Sequence, residues 1–210
     1  MTSAKYNPRT PGHFLVLGFT LFYIAAAAIY FWIAGVREFL MYLIVLLIIV
    51  VAVTYTLKYS KLPIWALWGL SLLGLLHALG GGVKVHGDLL YNLILVPIIN
   101  QGPNGITIWR FDQLVHPYGT FIAALVVYYF IAPGTKLSRI ALGIVVALAA
   151  MGLGSLNEVV EFFAKLTIPN TDVGGYDNTL LDLCSNTLGS TVGALFATLR
   201  WGKTPPVDGV

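Results

Sequence analysis

Six apolar runs, each close to the length that crosses a bilayer, leave this chain little choice of fold. A helix needs about 20 apolar residues to traverse about 30 Å of hydrocarbon. The runs occupy residues 14–34, 39–57, 63–79, 113–132, 138–164 and 179–199. Pro63 suits the start of the third, because a helix's first residues lack N–H partners in any case. The expected fold is therefore all-α, a polytopic membrane bundle of about six transmembrane helices. Composition agrees: 58% of residues are hydrophobic and only 10% charged, against about a quarter charged in a soluble domain. Such a chain could not clothe a water-facing surface without large apolar patches.

The connectors refine this picture. Those at 35–38, 58–62 and 133–137 are short and imply antiparallel neighbours. A longer one, 80–111, opens with three glycines and contains DLLYNLILVPIIN at 88–100. That stretch is too short to span and includes Pro97, so an interfacial or re-entrant segment is expected between the third and fourth helices. The other long connector, 165–178, is rich in turn residues. No internal repeat and no second domain is evident, and residues 1–210 read as one membrane domain. Lys5 and Arg9 precede the first apolar run, but at 13–34 it exceeds the roughly 7–15 residues of a signal-peptide core. It reads as a retained first span.

Charge sets the expected orientation, since cytoplasmic loops collect Lys and Arg. One side would hold Lys5, Arg9, Lys58, Lys61, Lys136, Arg139, Arg200 and Lys203, and the other Arg37, Lys84, Arg110 and Lys165. Eight against four places both termini in the cytoplasm and both long connectors outside. The localisation expected is the cell membrane, multi-pass. The net charge of +3 comes from scattered bases with no patch, which excludes nucleic acid as a partner. A single cysteine, Cys184, excludes an internal disulfide and a cysteine-cluster metal site.

The acids are distributed quite differently. Seven of the nine, namely Asp88, Asp112, Glu158, Glu161, Asp172, Asp177 and Asp182, fall in the two long connectors or at the helix ends joined to them. His77, His86 and His116 share that level. An acid at a helix centre costs roughly 2.5–3.5 kcal/mol on the insertion scale, and less toward the interface. Several in one layer need cations, protons or water, and few bases lie on that side. A divalent cation would satisfy them. Oxygen ligands suit magnesium, calcium or manganese, and added imidazole suits zinc or iron.

Spacing supports a shared face. Glu158 and Glu161 are three apart, while Asp182 and Asn186, like Asp112 and His116, are four apart. Ser185, Gly189 and Gly193 form a small-residue stripe that permits close helix contact. Pro117 complicates the Asp112–His116 pair: if the fourth helix begins at His116, proline occupies its first position and Asp112 falls in the loop. Plainer roles compete. Asp112 and Asp177 suit helix caps, the two glutamates suit a protonated structural pair, and His77 suits a satisfied structural histidine.

Three segments resemble the YjdF-like inner-membrane proteins, which are distantly similar to VanZ-like proteins linked to teicoplanin resistance. They are RFDQLVHPYG at 110–119, NEVVEF at 157–162 and GGYDNTLLDLCSNTLGS at 174–190. The resemblance covers most of the chain from His77 onward and implies a multi-span membrane protein. By motif match it implies Asp112, His116, Glu158, Glu161, Asp182, Asn186 and Gly189 as signature positions. Gln113 stands where the family commonly has arginine, and Asn178 where it often has aspartate, with Asp177 beside it.

These readings lead to one expectation and one alternative. The expectation is an enzyme with an outward-facing cation site acting on a membrane lipid or lipid-linked substrate. Asp112, His116, Glu158, Glu161 and Asp182 would hold the metal. His116, Glu158 and Glu161 would serve in catalysis, with His77, Asp177 and Asn186 nearby. The alternative is a non-catalytic lipid-binding, transport or assembly subunit with a membrane-protein partner or a second copy of itself.

Overall fold

The computed structural model describes residues 10–96, 109–168, 175–203 and 205. Its helices are α1 (Pro11–Ala34), α2 (Arg37–Ser60), α3 (Ile64–Gly82), α4 (Asp112–Ile131), α5 (Arg139–Thr167) and α6 (Tyr176–Arg200). Each coincides with one of the six apolar runs to within a few residues at either end.

The boundaries have local causes. Pro11 opens α1 after an extended Thr10, and Gly35 closes it at φ 72°, its N–H turned back to the helix carbonyls. Glycine takes this left-handed conformation without a side-chain penalty. Ser138 caps α5 by accepting a hydrogen bond from the Ala141 N–H at 3.2 Å. Between α3 and α4 the described residues form a two-stranded hairpin, β1 (Lys84–Val85) and β2 (Asp88–Leu89), then a 3-10 turn over Leu90–Asn92. A single antiparallel bridge joins Ile94 to Arg110. Residues 97–100 of the expected interfacial or re-entrant segment lie outside the described ones.

Five helices, α1 to α5, are long and apolar enough to cross a membrane. The sixth, α6, has 25 residues, which at about 1.5 Å each is ample length. It is less apolar because it carries Asp177, Asn178, Asp182, Asn186 and several hydroxyls. Asp182, Asn186, Ser190 and Thr198 are buried, whereas Asp177, Thr187 and Thr191 are exposed.

The chain divides into two compact units. The first holds the described residues up to Ala78. Within it, α1 and α3 are tied by a 2.7 Å hydrogen bond between the Thr20 and Ser71 hydroxyls. The Tyr23 hydroxyl donates to the Ser71 carbonyl at 3.0 Å. Phe31 and Phe39 stack across the α1–α2 turn at 5.6 Å.

The second unit runs from Leu79 to Pro205. It is a bundle in which α6 packs most extensively on α4 and then on α5. Glycines set the closeness of the first pair. A Cβ on Gly193 would lie 2.8 Å from the Ala124 Cβ and the Phe121 carbonyl oxygen, and one on Gly189 would lie 2.5 Å from the Pro117 Cα. At the far end Tyr128 is fully buried and donates its hydroxyl to the Gly202 carbonyl.

Candidate metal centre

The site is built on the first turns of α4. Asp112 is the first residue of that helix, so the alternative start at His116 does not hold. Pro117 lies inside α4. Lacking an N–H, it leaves the Gln113 carbonyl without its helix donor, yet the helix runs on to Ile131. The one-turn stacking survives: Asp112 Oδ1 lies 3.3 Å from His116 Nε2. Just ahead of the helix, the Gln113 side-chain oxygen accepts the Arg110 N–H at 2.7 Å.

His116 is the hub. It is buried at 6% exposure, and carboxylates from three helices converge on its ring. Asp112 from α4 and Asp182 from α6 face Nε2, the latter with Oδ1 at 3.7 Å. Glu158 from α5 faces Nδ1, with Oε1 at 3.4 Å. Glu161 stands one turn further along α5 and accepts a hydrogen bond from Asn157 at 2.7 Å. Asn178 links α6 to α4, since its amide donates to Asp182 Oδ2 at 2.6 Å and to Asp112 Oδ2 at 3.4 Å.

Several of these atoms are enclosed without a hydrogen bond. Among the described residues, both carboxylate oxygens of Glu158, Asp182 Oδ1 and Asn186 Nδ2 are buried and have no partner of that kind. Asp182 itself is wholly buried. Enclosed carboxylates need positive charge, from a metal ion or from shared protons. Bases are scarce here: α4 carries none, and on α5 the nearest, Lys165, is one turn beyond Glu161.

The donor set fits a divalent cation. Two trios, Asp112–His116–Asp182 and His116–Glu158–Glu161, each offer ligand atoms within 4.8 Å of one another. Bonds of about 2.0–2.2 Å to zinc or magnesium hold ligand atoms roughly 3–4 Å apart, which spans the separations measured around the imidazole.

The remaining expected residues fall as follows. Asn186 is buried at 1% exposure, one turn below Asp182, against the backbone of Gly154 on α5. Asp177 is exposed on the first turn of α6, whose cap position is Gly175. Neither Asp112 nor Asp177 is therefore a helix cap. His77 is half-buried on α3 and belongs to the other unit. His86 is exposed in the hairpin turn at φ 54°, and Asp172 lies outside the described residues. Asp88 accepts hydrogen bonds from the Asn92 amide at 3.0 Å and the Leu89 N–H at 2.8 Å. These hold its carboxyl below the ordinary carboxylate range.

Sequence reasoning did not place Asn178, Thr120 and Gly154 at the site, although it noted Asn178 where the resembled family often has aspartate. Signals existed for two of them. Asn178 is four residues before Asp182, and Gly154 is four before Glu158, each on the face already singled out. Thr120 donates to the His116 carbonyl at 3.1 Å and meets both Gly154 and Gly189, so it closes the floor of the site.

Fold and site together define a multi-pass helical membrane protein with a carboxylate–imidazole cluster held between three of its helices. The chain belongs to the family described as predicted membrane protein (DUF2238), whose model matches residues 15–203. The YjdF-like resemblance is consistent with that membership. No curated protein and no solved structure matches the chain.

Proposed function

We propose that the α4–α5–α6 cluster binds a divalent cation, and that the protein is a membrane-embedded enzyme acting on a lipid or lipid-linked substrate. The observation that carries this reading is the set of buried, unbonded carboxylate oxygens around one imidazole. Asp112, Asp182 and His116 Nε2 would hold the ion. The Nδ1–H would face Glu158, as metal-bound histidines usually turn their second nitrogen to a carboxylate. Asn178 would steady both aspartates. Such an ion polarises a phosphoryl or acyl oxygen, or activates water. Glu158 and Glu161 are then the groups available to move a proton.

The cluster lies where α4 begins, α5 ends and α6 begins, so all its members share one side of the second unit. The eight-to-four distribution of bases would put that side outward. The finer VanZ-like kinship, with its tie to teicoplanin resistance, would place the substrate in the cell envelope. The competing role is a lipid-binding, transport or assembly subunit. It is favoured by the absence of any G-x-S-x-G or H-E-x-x-H motif from the sequence.

Metal content of the detergent-purified protein, measured by mass spectrometry, tests the proposal alongside Asp112→Asn/Asp182→Asn, which removes the two carboxylates facing Nε2. About one metal per chain, lost in the folded variant, supports the cation site and justifies screening lipid-linked phosphates and esters. No metal in either sample, with the variant still folded, moves the assignment to binding or assembly.

A further inference from the structure

The first unit contains a cavity of about 620 Å³ between α2 on one wall and α1 with α3 on the other. It is half open, with Phe14 and Ile49 of its lining 61% and 48% exposed, and clefts that bind small molecules measure roughly 300–1,000 Å³. The cavity follows from how the three helices meet. α1 and α3 are joined through Thr20, Tyr23 and Ser71. α2 joins them at its early part, where Phe39 stacks on Phe31 and the Leu46 methyls lie against Gly74. From Leu46 onward a single face of α2, with Val50, Val53 and Leu57 at helical spacing, lines open space. Leu17 and Leu70 line the opposite wall.

The wall chemistry selects the occupant. Thr20, Tyr23 and Ser71, the polar groups midway along, spend their hydrogen bonds on one another and on backbone. The lining there offers an apolar chain nothing that needs a polar partner. Lys58, in the last turn of α2, lines the end remote from the α1–α2 turn. Among the described residues Lys58 makes no ion pair. The cavity thus has an apolar length and one cationic end.

We propose that this cavity holds an acyl chain of an anionic phospholipid, with the headgroup at Lys58. The site belongs to the first unit and does not depend on the metal reading. A cation in the last turn of a helix also suits the helix dipole, so the test separates the two roles of Lys58.

The full chain is reconstituted with a phospholipid bearing a photoactivatable acyl chain, and the labelled peptides are mapped. Two headgroups with identical chains are compared, phosphatidylglycerol and phosphatidylcholine. The expected result is label on the facing residues of α1, α2 and α3, several-fold stronger with phosphatidylglycerol. Val53→Trp, which fills the cavity, should cut the label several-fold. Lys58→Gln, at an exposed position that leaves the packing alone, should abolish the headgroup preference while keeping the label. Equal labelling by both lipids in the unaltered protein overturns the proposal. So does label confined to Ile48 and Tyr55, which are 62% and 79% exposed, or crosslinking of α2 to a second copy of the chain.

Discussion

At the scale of single residues, the proposed metal site gives the two nitrogens of His116 different duties, and substitutions should separate them. Asp182→Asn keeps the shape but removes a charged ligand facing Nε2, so bound metal should fall to background. Asn178→Ala removes only the amide that steadies the two aspartates, and loss of such a supporting partner weakens metal affinity by about 10–100-fold. Titration against a competing chelator ranks the pair, and equal affinities would refute the assignment. Protons compete with the metal for carboxylate and imidazole alike. Bound metal should therefore fall as pH drops from about 8 to about 5, through the range where imidazole ordinarily titrates. Asp88 offers an unrelated titration outside the helices. Its carboxyl is held low, chiefly by the Asn92 amide and then by the Leu89 N–H. A depressed carboxyl stabilises the folded hairpin above its unfolded value and loses that effect as pH falls through the folded one. Asn92→Ala should raise the Asp88 midpoint toward the ordinary range, read by NMR titration, and an unmoved midpoint would show that the bond is not made in solution.

At the scale of elements, the α4–α6 contact decides whether the site forms at all. A Cβ on Gly189 would sit 2.5 Å from the Pro117 Cα and closer still to its carbonyl oxygen, which is backbone and cannot swing aside, while Gly152 meets nothing within 4 Å. Gly189→Ala should cost about 1–3 kcal/mol or more, as overpacking does, and should lower metal content by moving Asp182 away from His116. Gly152→Ala should leave both unchanged. Melting curves in detergent check this, and equal melting of the two variants would mean that the helices sit further apart. The same contact shows what was legible in advance. The helices could be read because lipid demands long apolar runs. The faces of Asp112–His116 and Asp182–Asn186 could be read because four residues nearly complete a turn. Thr120 could not, because its role comes from glycines on two other helices. Nor could the hairpin, whose two-residue strands are too short to show alternation. The pairing of Nε2 with the aspartates and Nδ1 with Glu158 depends on ring orientation, which no spacing encodes.

At the scale of the whole molecule, the outward-facing reading depends on α6, the one long helix among the described residues whose own composition does not mark it as a span. Its polar face is enclosed by α4 and α5, and its exposed side presents Leu188, Leu195 and Leu199 at 53%, 54% and 80% exposure. A helix that buries its mid-helix acid and amide and turns leucines outward suits lipid although its average hydropathy is modest. Six crossings would return the chain to its starting side, and the excess of bases would make that side cytoplasmic. Topology reporters fused after Lys61, Lys136 and Lys203 should therefore report cytoplasm, and one inserted at Gly175 should report the exterior. Reporters at Gly175 and after Lys203 on one side would mean that α6 does not cross. All four reversed would turn the cluster to the cytoplasm, leaving its chemistry intact and redirecting the search to substrates of the inner leaflet.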